Sequence, residues 1–272
     1  IERKRMMTKR RVLRAVSLLA AVFVLSGGVN QKEEERNLAK ALEEEYGEEF
    51  VVVDSIVTSA NWLNAGPLVA ICYPKANRNL TFKAAYSDGQ IYSDEYVEAV
   101  VREEAYAEMQ EILSKKYKDF LLDVDVFQPM IEYSERENYP RFTNISDVSI
   151  ASYVKKYENK MRLAFYIIFD KTEVKKYDDV REVFEKYSDK FDNAQVNFWC
   201  YYSDNNTISE LRSEKEKDIW GNFNLRFKTN RSEVPEYLYC RENGIFSLYW
   251  IYDAEGLRKY DVNGNEIIES EE

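Results

Sequence analysis

The segment Met161-Arg162-Leu163-Ala164-Phe165-Tyr166-Ile167-Ile168-Phe169 constrains the fold more than any other stretch of this chain. Its apolar side chains occupy both faces of an extended strand, and such a strand belongs in the interior of a sheet with layers on either side. The neighbouring segments agree. Asp178 opens a helical stretch with Val180, Phe184, Tyr187 and Phe191 on one stripe, and residues 196–202 read as the next strand. The same order occurs earlier. Residues 80–86 read as a strand ending in the turn Ser87-Asp88-Gly89-Gln90, and Ser93 is placed to cap a helix with Asp94 and Glu95 in its first turn. Val97, Val101, Ala105, Met109, Ile112 and Lys116 trace one face of that helix, which should lie across the preceding strands. Residues 120–127 then alternate as a strand. Two strand–helix–strand units predict an α+β protein of two successive modules with mixed sheets.

Residues 32–46 add a helix, with Leu38, Leu42 and Tyr46 in register and Gly47 as its stop, followed by strands at 50–57 and 67–73. The expected organisation is a signal segment at 1–28, a first module at 29–130, a linker at 131–145 containing Pro140, and a second module at 146–272. The second module includes a helix at 147–157, a polar helix at 207–217, and strands near 221–228 and 244–252. Near its end, Tyr252-Asp253-Ala254-Glu255-Gly256 and Tyr260-Asp261-Val262-Asn263-Gly264 repeat a short turn pattern that reads as successive hairpins.

The N-terminus carries an address. Arg3, Lys4, Arg5, Lys9, Arg10, Arg11 and Arg14 precede an apolar core at 15–25, and the small residues Ser26, Gly27 and Gly28 follow as the cleavage region. That core is shorter than the roughly 20 helical residues that span a bilayer, but it suits a cleavable secretory signal helix. The alternative is an uncleaved N-terminal anchor, which would be the protein's only route to a membrane. Leu25-Ser26-Gly27-Gly28 resembles the end of a bacterial lipoprotein signal, yet Gly28 stands where the lipidated cysteine would be, so thioether attachment is chemically excluded there. The expected location is extracytoplasmic, either secreted or tethered to the outer face of the cytoplasmic membrane. The first residues, ahead of Met6 and Met7, read as upstream of the start.

Charge and composition exclude several functions. The net charge is −11, and setting aside the +6 of residues 1–28 leaves −17 on the rest. So acidic a protein repels phosphate backbones and anionic lipids, which argues against nucleic-acid partners. There is no histidine, which removes Ser-His-Asp and Cys-His catalysis and His-containing zinc sites. Nine glycines supply neither a dinucleotide fingerprint nor a P-loop. Cys72, Cys200 and Cys240 lack metal spacing; Cys200 and Cys240 are candidates for a disulfide, with three buried free thiols as the alternative. No cofactor is implied.

Two constellations carry possible chemistry. Asp123 and Asp125 fall on one face of a strand, where neighbouring carboxylates share a proton or hold a hard cation; a solvated polar edge is the plainer reading. Trp199 and Tyr201, with Trp62, Trp220 and Trp250, supply aromatic surface for a glycan or peptide, against ordinary core packing. The segment 261–266 lacks the spacing of a calcium loop.

Leu42-Glu43-Glu44-Glu45-Tyr46-Gly47-Glu48-Glu49-Phe50, Cys72-Tyr73-Pro74-Lys75 and Ser93-Asp94-Glu95-Tyr96 resemble segments of uncharacterised exported, lipoprotein-like proteins of Gram-positive bacteria. The resemblance implies no activity and carries over no site residue. The expectation is a non-catalytic binding or interaction module of the envelope, with an envelope protein or glycan as partner. The alternative is a histidine-free, carboxylate-dependent hydrolase of glycans.

Overall fold

The computed structural model describes residues 30–59, 65–127, 142, 144–157, 161–174, 178–191, 194–217, 236–242, 245–253 and 256–260. The signal segment, the 131–141 part of the linker and the strand expected near 221–228 lie outside them. Five α-helices and ten strands make an α+β fold with two sheets among these residues, as the alternation predicts. None of the described helices is long and apolar enough to cross a membrane.

The chain divides into two compact units, 1–79 with 83–94, and 80–82 with 95–272. This division falls near residue 94. In the first unit, helix α1 (Gln31–Tyr46) lies on one face of strands β1 (Phe50–Ser59), β2 (Ala65–Pro74), β3 (Phe82–Ser87) and β4 (Gln90–Asp94), ordered β1-β2-β3-β4. Leu38 and Leu42 of α1 are fully buried, and the Gln31 amide donates to the Ser55 hydroxyl at 2.8 Å. Gly47 ends α1 in the left-handed region, at φ +75°, which glycine adopts without steric cost. Asp88 and Gly89, both at positive φ, form the two-residue turn that pairs β3 with β4.

That hairpin overturns the expected Ser93 cap. Ser93 pairs with Ala85 and Asp94 with Ala84 as strand residues, while the Tyr46 hydroxyl donates to the Asp94 carboxylate at 2.8 Å. Helix α2 (Tyr96–Ser114) begins two residues later behind Glu95.

In the second unit, β5 (Phe120–Phe127), β6 (Arg162–Asp170), β7 (Gln195–Ser203), β8 (Glu236–Glu242), β9 (Ile245–Asp253) and β10 (Gly256–Tyr260) form one sheet in the order β10-β9-β8-β7-β6-β5. β6 is interior, as its two apolar faces require, and it runs parallel to β7 and antiparallel to β5. The two strand–helix–strand successions therefore differ. The β6–β7 connection, through α4 (Asp178–Ser188), is a parallel crossover within one sheet, whereas β3 and β5 belong to different sheets and α2 packs on β5. The short helix α3 (Ile150–Tyr157) follows a 3₁₀ turn at Ile145–Asp147, and the Tyr153 hydroxyl donates to Glu98 of α2 at 2.8 Å. Aromatic packing builds the core between α4 and the sheet: Phe184 stacks on Phe198 with centroids 4.3 Å apart, and Phe198 on Phe165 at 5.0 Å. Val180, Phe184, Tyr187 and Phe191 are all buried, as their stripe predicts.

The Cys200–Cys240 disulfide is not formed. Cys200 is a buried free thiol, and the β7–β8 register sets Cys240 opposite Asn197, three residues from Cys200 and so at a position on the other face. Burial pushes the Cys200 thiol well above the ordinary range, while burial and then Asp94 push Cys72 up to about 12.

Candidate functional site

Strand pleating and register bring the candidate residues onto one face of the six-stranded sheet. Asp123 on β5 lies opposite Tyr166 on β6, which lies opposite Trp199 on β7. The neighbouring row is Asp125, Ala164 and Asn197; the row on the other side is Leu121, Ile168 and Tyr201. All four candidates, Asp123, Asp125, Trp199 and Tyr201, thus share a face, but not an exposure. Helix α5 (Asn205–Lys217) covers the Tyr201 row, packing Ile208 and Leu211 onto Leu121, Ile168 and Tyr201. Tyr201 is 1% exposed and serves the core, while Trp199 is half-buried and stacks on Tyr166 at 6.4 Å. The cleavage-region residues Ser26, Gly27 and Gly28 lie outside the described residues.

β5 is the end strand of this sheet, and α5 deals with its edge. Lys215 donates to the Leu122 carbonyl at 2.7 Å and pairs with Asp123 Oδ1 at 2.7 Å, with its ammonium 5.3 Å from the Tyr106 ring centroid. One turn earlier, Arg212 donates to the Phe120 carbonyl at 3.0 Å and to Asp119 Oδ1 at 2.9 Å. Two cationic side chains from one helix therefore satisfy carbonyls of a strand edge and pair with Asp119 and Asp123.

Asp125 has a different environment. Burial first and Asp123 second raise its carboxyl to about 6; Arg102 and Lys215 pull it back, and Glu95 adds a further rise. Burial, then Asp123 and Glu103, likewise raise the Tyr106 phenol, against Arg212. Across the sheet, Asn197 is 7% exposed, and its Oδ1 accepts no hydrogen bond among the described residues. On the next row, the Arg162 guanidinium lies 3.8 Å from the Phe127 ring centroid. Among the described residues no group of three or more acids or cysteines is placed to hold a metal ion.

Sequence reasoning missed Arg212, Lys215 and Asn197. The first two had a signal: Ile208, Leu211, Arg212 and Lys215 follow helical spacing, so the two cations flank the buried stripe of a helix that reads as polar overall. Asn197 had only its parity with Trp199 and Tyr201.

No family model matches this sequence, and no curated protein matches it. A crystal structure of a DUF5037 family protein from Ruminococcus gnavus ATCC 29149 superposes with a TM-score of 0.54, covering 77% of this chain and 92% of that chain at 17% identity. At that identity the likeness concerns the fold alone.

Proposed function

We propose that this protein is an extracytoplasmic, non-catalytic binding or interaction module of the cell envelope. The observation that carries this reading is how the ionic groups of the candidate site are engaged. Asp123 is held by Lys215 and Asp119 by Arg212, so these carboxylates fasten α5 to the edge of β5. A glycosidase needs two acids flanking the scissile bond, about 5–10 Å apart across a groove. Asp123 and Asp125 instead sit side by side on one strand, one of them neutralised.

The hydrolase reading keeps one observation in its favour. Asp125, whose carboxyl is raised to about 6 by burial and then by Asp123, has the proton affinity of a general acid.

Co-sedimentation of the full chain with isolated Gram-positive envelopes separates the two. Saturable binding with no release of soluble reducing ends is the expected result. Release of reducing sugar that disappears in Asp125→Asn would establish the hydrolase instead, and failure to sediment would overturn the binding module. Export has its own check: sequencing the N-terminus of the secreted or envelope-bound protein should find a start near Gly28 or Val29, and an intact signal segment would indicate anchoring.

A further inference from the structure

The end strands of the two sheets are not treated alike. Lys215 and Arg212 of α5 clamp β5; β10 carries Arg258 and Lys259 in its sequence, and β4 has only five residues. Cationic side chains and shortness are common ways of keeping a sheet edge from taking up another strand. β1 has neither. It is the end strand beside β2, ten residues long, and Phe50-Val51-Val52-Val53-Asp54-Ser55-Ile56-Val57-Thr58-Ser59 contains no lysine, arginine or proline. Among the described residues three large apolar side chains are exposed, and two of them stand on this strand: Val53 at 47% and Ile56 at 52%.

The edge is held shut at one point. The Ser55 N–H donates to Asp54 Oδ1 at 2.9 Å, and the Gln31 side-chain amide donates to the Ser55 carbonyl, also at 2.9 Å. Both backbone groups of Ser55 thus bond to side chains, where an added strand would bond to them. The Ser55 hydroxyl donates to Glu35 of α1 at 2.7 Å, so strand alternation turns Ile56 to the face away from α1, opposite Val69 on β2. The acids at this place are Asp54 on the strand and Glu35 bonded to it, with Glu33 and Glu34 preceding Glu35 in α1. A second copy would bring the same acids to the same edge, in a chain of net charge −11. An extended polypeptide with apolar residues at alternate positions and lysine or arginine between them suits both sides: its apolar residues continue the face of Ile56, and its cations meet the acids on the α1 side.

We infer that the outer edge of β1 is a docking site for an extended cationic segment of a partner protein, which adds to the sheet as a further strand. The inference rests on the interaction-module reading and gives it a partner class. Gln31 is the placeholder: its amide leaves the Ser55 carbonyl when a backbone N–H of the partner takes its place. No covalent bond is made or broken.

The test uses the full chain and a synthetic peptide alternating valine and lysine, matched to the ten residues of β1. A valine–glutamate peptide and an amide-N-methylated valine–lysine peptide serve as controls. Binding is read by fluorescence anisotropy and located by hydrogen exchange. The expected result is saturable binding of the valine–lysine peptide, slower exchange of the β1 amides, and binding about tenfold weaker or worse for both controls. Val53→Lys combined with Ile56→Lys puts cations at two exposed positions, and should weaken binding roughly tenfold with the melting temperature unchanged. Gln31→Ala opens the Ser55 carbonyl and should tighten binding severalfold; a glutamine that merely ties α1 to β1 would leave binding unchanged or weaker. Equal binding of the N-methylated peptide would overturn strand addition, and no binding by folded protein would overturn the docking site. A dimer of the chain alone in sedimentation velocity, abolished in the double-lysine variant, would reassign the edge to a second copy. Envelope co-sedimentation that persists in that variant, with peptide binding absent from the parent, overturns the edge while leaving the interaction module standing.

Discussion

Asp125 shows what a single carboxyl can do to the stability of this fold. In the unfolded chain it titrates near its ordinary value of 3.8, and in the folded protein near 6, because burial and Asp123 outweigh the pull of Arg102 and Lys215. Between those values the folded state binds the proton more tightly than the unfolded one. The stabilisation is complete below about 3.8 and is lost as pH rises through about 6, so at neutral pH an ionised, half-buried Asp125 costs the fold up to about 3 kcal/mol. Asp125→Asn removes the charge but keeps the shape. It should be more stable than the parent by about 1–2 kcal/mol at pH 7.5 and equal to it at pH 4, measured by urea unfolding at both pH values. A parent more stable than the variant at pH 7.5 would mean that Arg102 and Lys215 dominate after all. Strand alternation places Asp123 and Asp125 on one face without any structure. The raised carboxyl of Asp125 is not legible from sequence, since it depends first on burial and also on charges such as Lys215, which arrives from a helix far along the chain.

Helix α5 is held by the contacts that distinguish the two acids. Lys215→Ala would leave Asp123 without its counter-charge and the Leu122 carbonyl without its donor, and both are largely sheltered from water. The expected loss is about 2 kcal/mol, below the 3–5 kcal/mol of a fully buried pair because Lys215 is 30% exposed. Glu44→Ala, which breaks the exposed pair with Lys40 within α1, should cost less than about 0.5 kcal/mol. Equal losses in urea melts of the two variants would contradict the edge-clamp role. The cap of α1 supplies a third comparison. Nothing lies within 4 Å of where a Gly47 side chain would sit, so Gly47→Ala meets no clash and suffers only the positive φ, about 1 kcal/mol. The elements themselves were largely readable, because apolar periodicity is local: the stripe of α4 and the double apolar face of β6 fall where the sequence puts them. The errors arose where a local signal competed with pairing. Ser93-Asp94-Glu95 has the chemistry of a helix start, but the Asp88-Gly89 turn folds the chain back and β3 claims Ser93 and Asp94 first. Which strands share a sheet depends on contacts between distant segments: β5 follows α2 directly in the chain, yet its partner is β6, which begins 35 residues after β5 ends.

For the molecule as a whole, the excess of acid decides how stability responds to salt. The chain has 49 acidic and 38 basic residues and no histidine, so its formal charge of −11 does not change through imidazole titration near neutral pH. Two opposing effects are screened as salt is added. Ion pairs weaken, but Lys40–Glu44, Lys75–Glu49 and Lys115–Glu111 are all well exposed, and such pairs contribute little even at low salt. Repulsion among the unpaired acids weakens too, and this acts over the whole surface: the Debye length is about 30 Å at 0.01 M and about 10 Å at 0.1 M. The Asp123–Lys215 pair, being sheltered, is screened least. Repulsion should therefore be the larger loss, and the melting temperature at pH 7.5 should rise by a few degrees between about 0.01 M and 0.3 M sodium chloride. The rise should be the same in sodium chloride and potassium chloride, since it comes from screening and not from a bound cation. A fall over that range would show that attractive pairs outweigh the net charge, and a rise confined to one cation would point to a specific site.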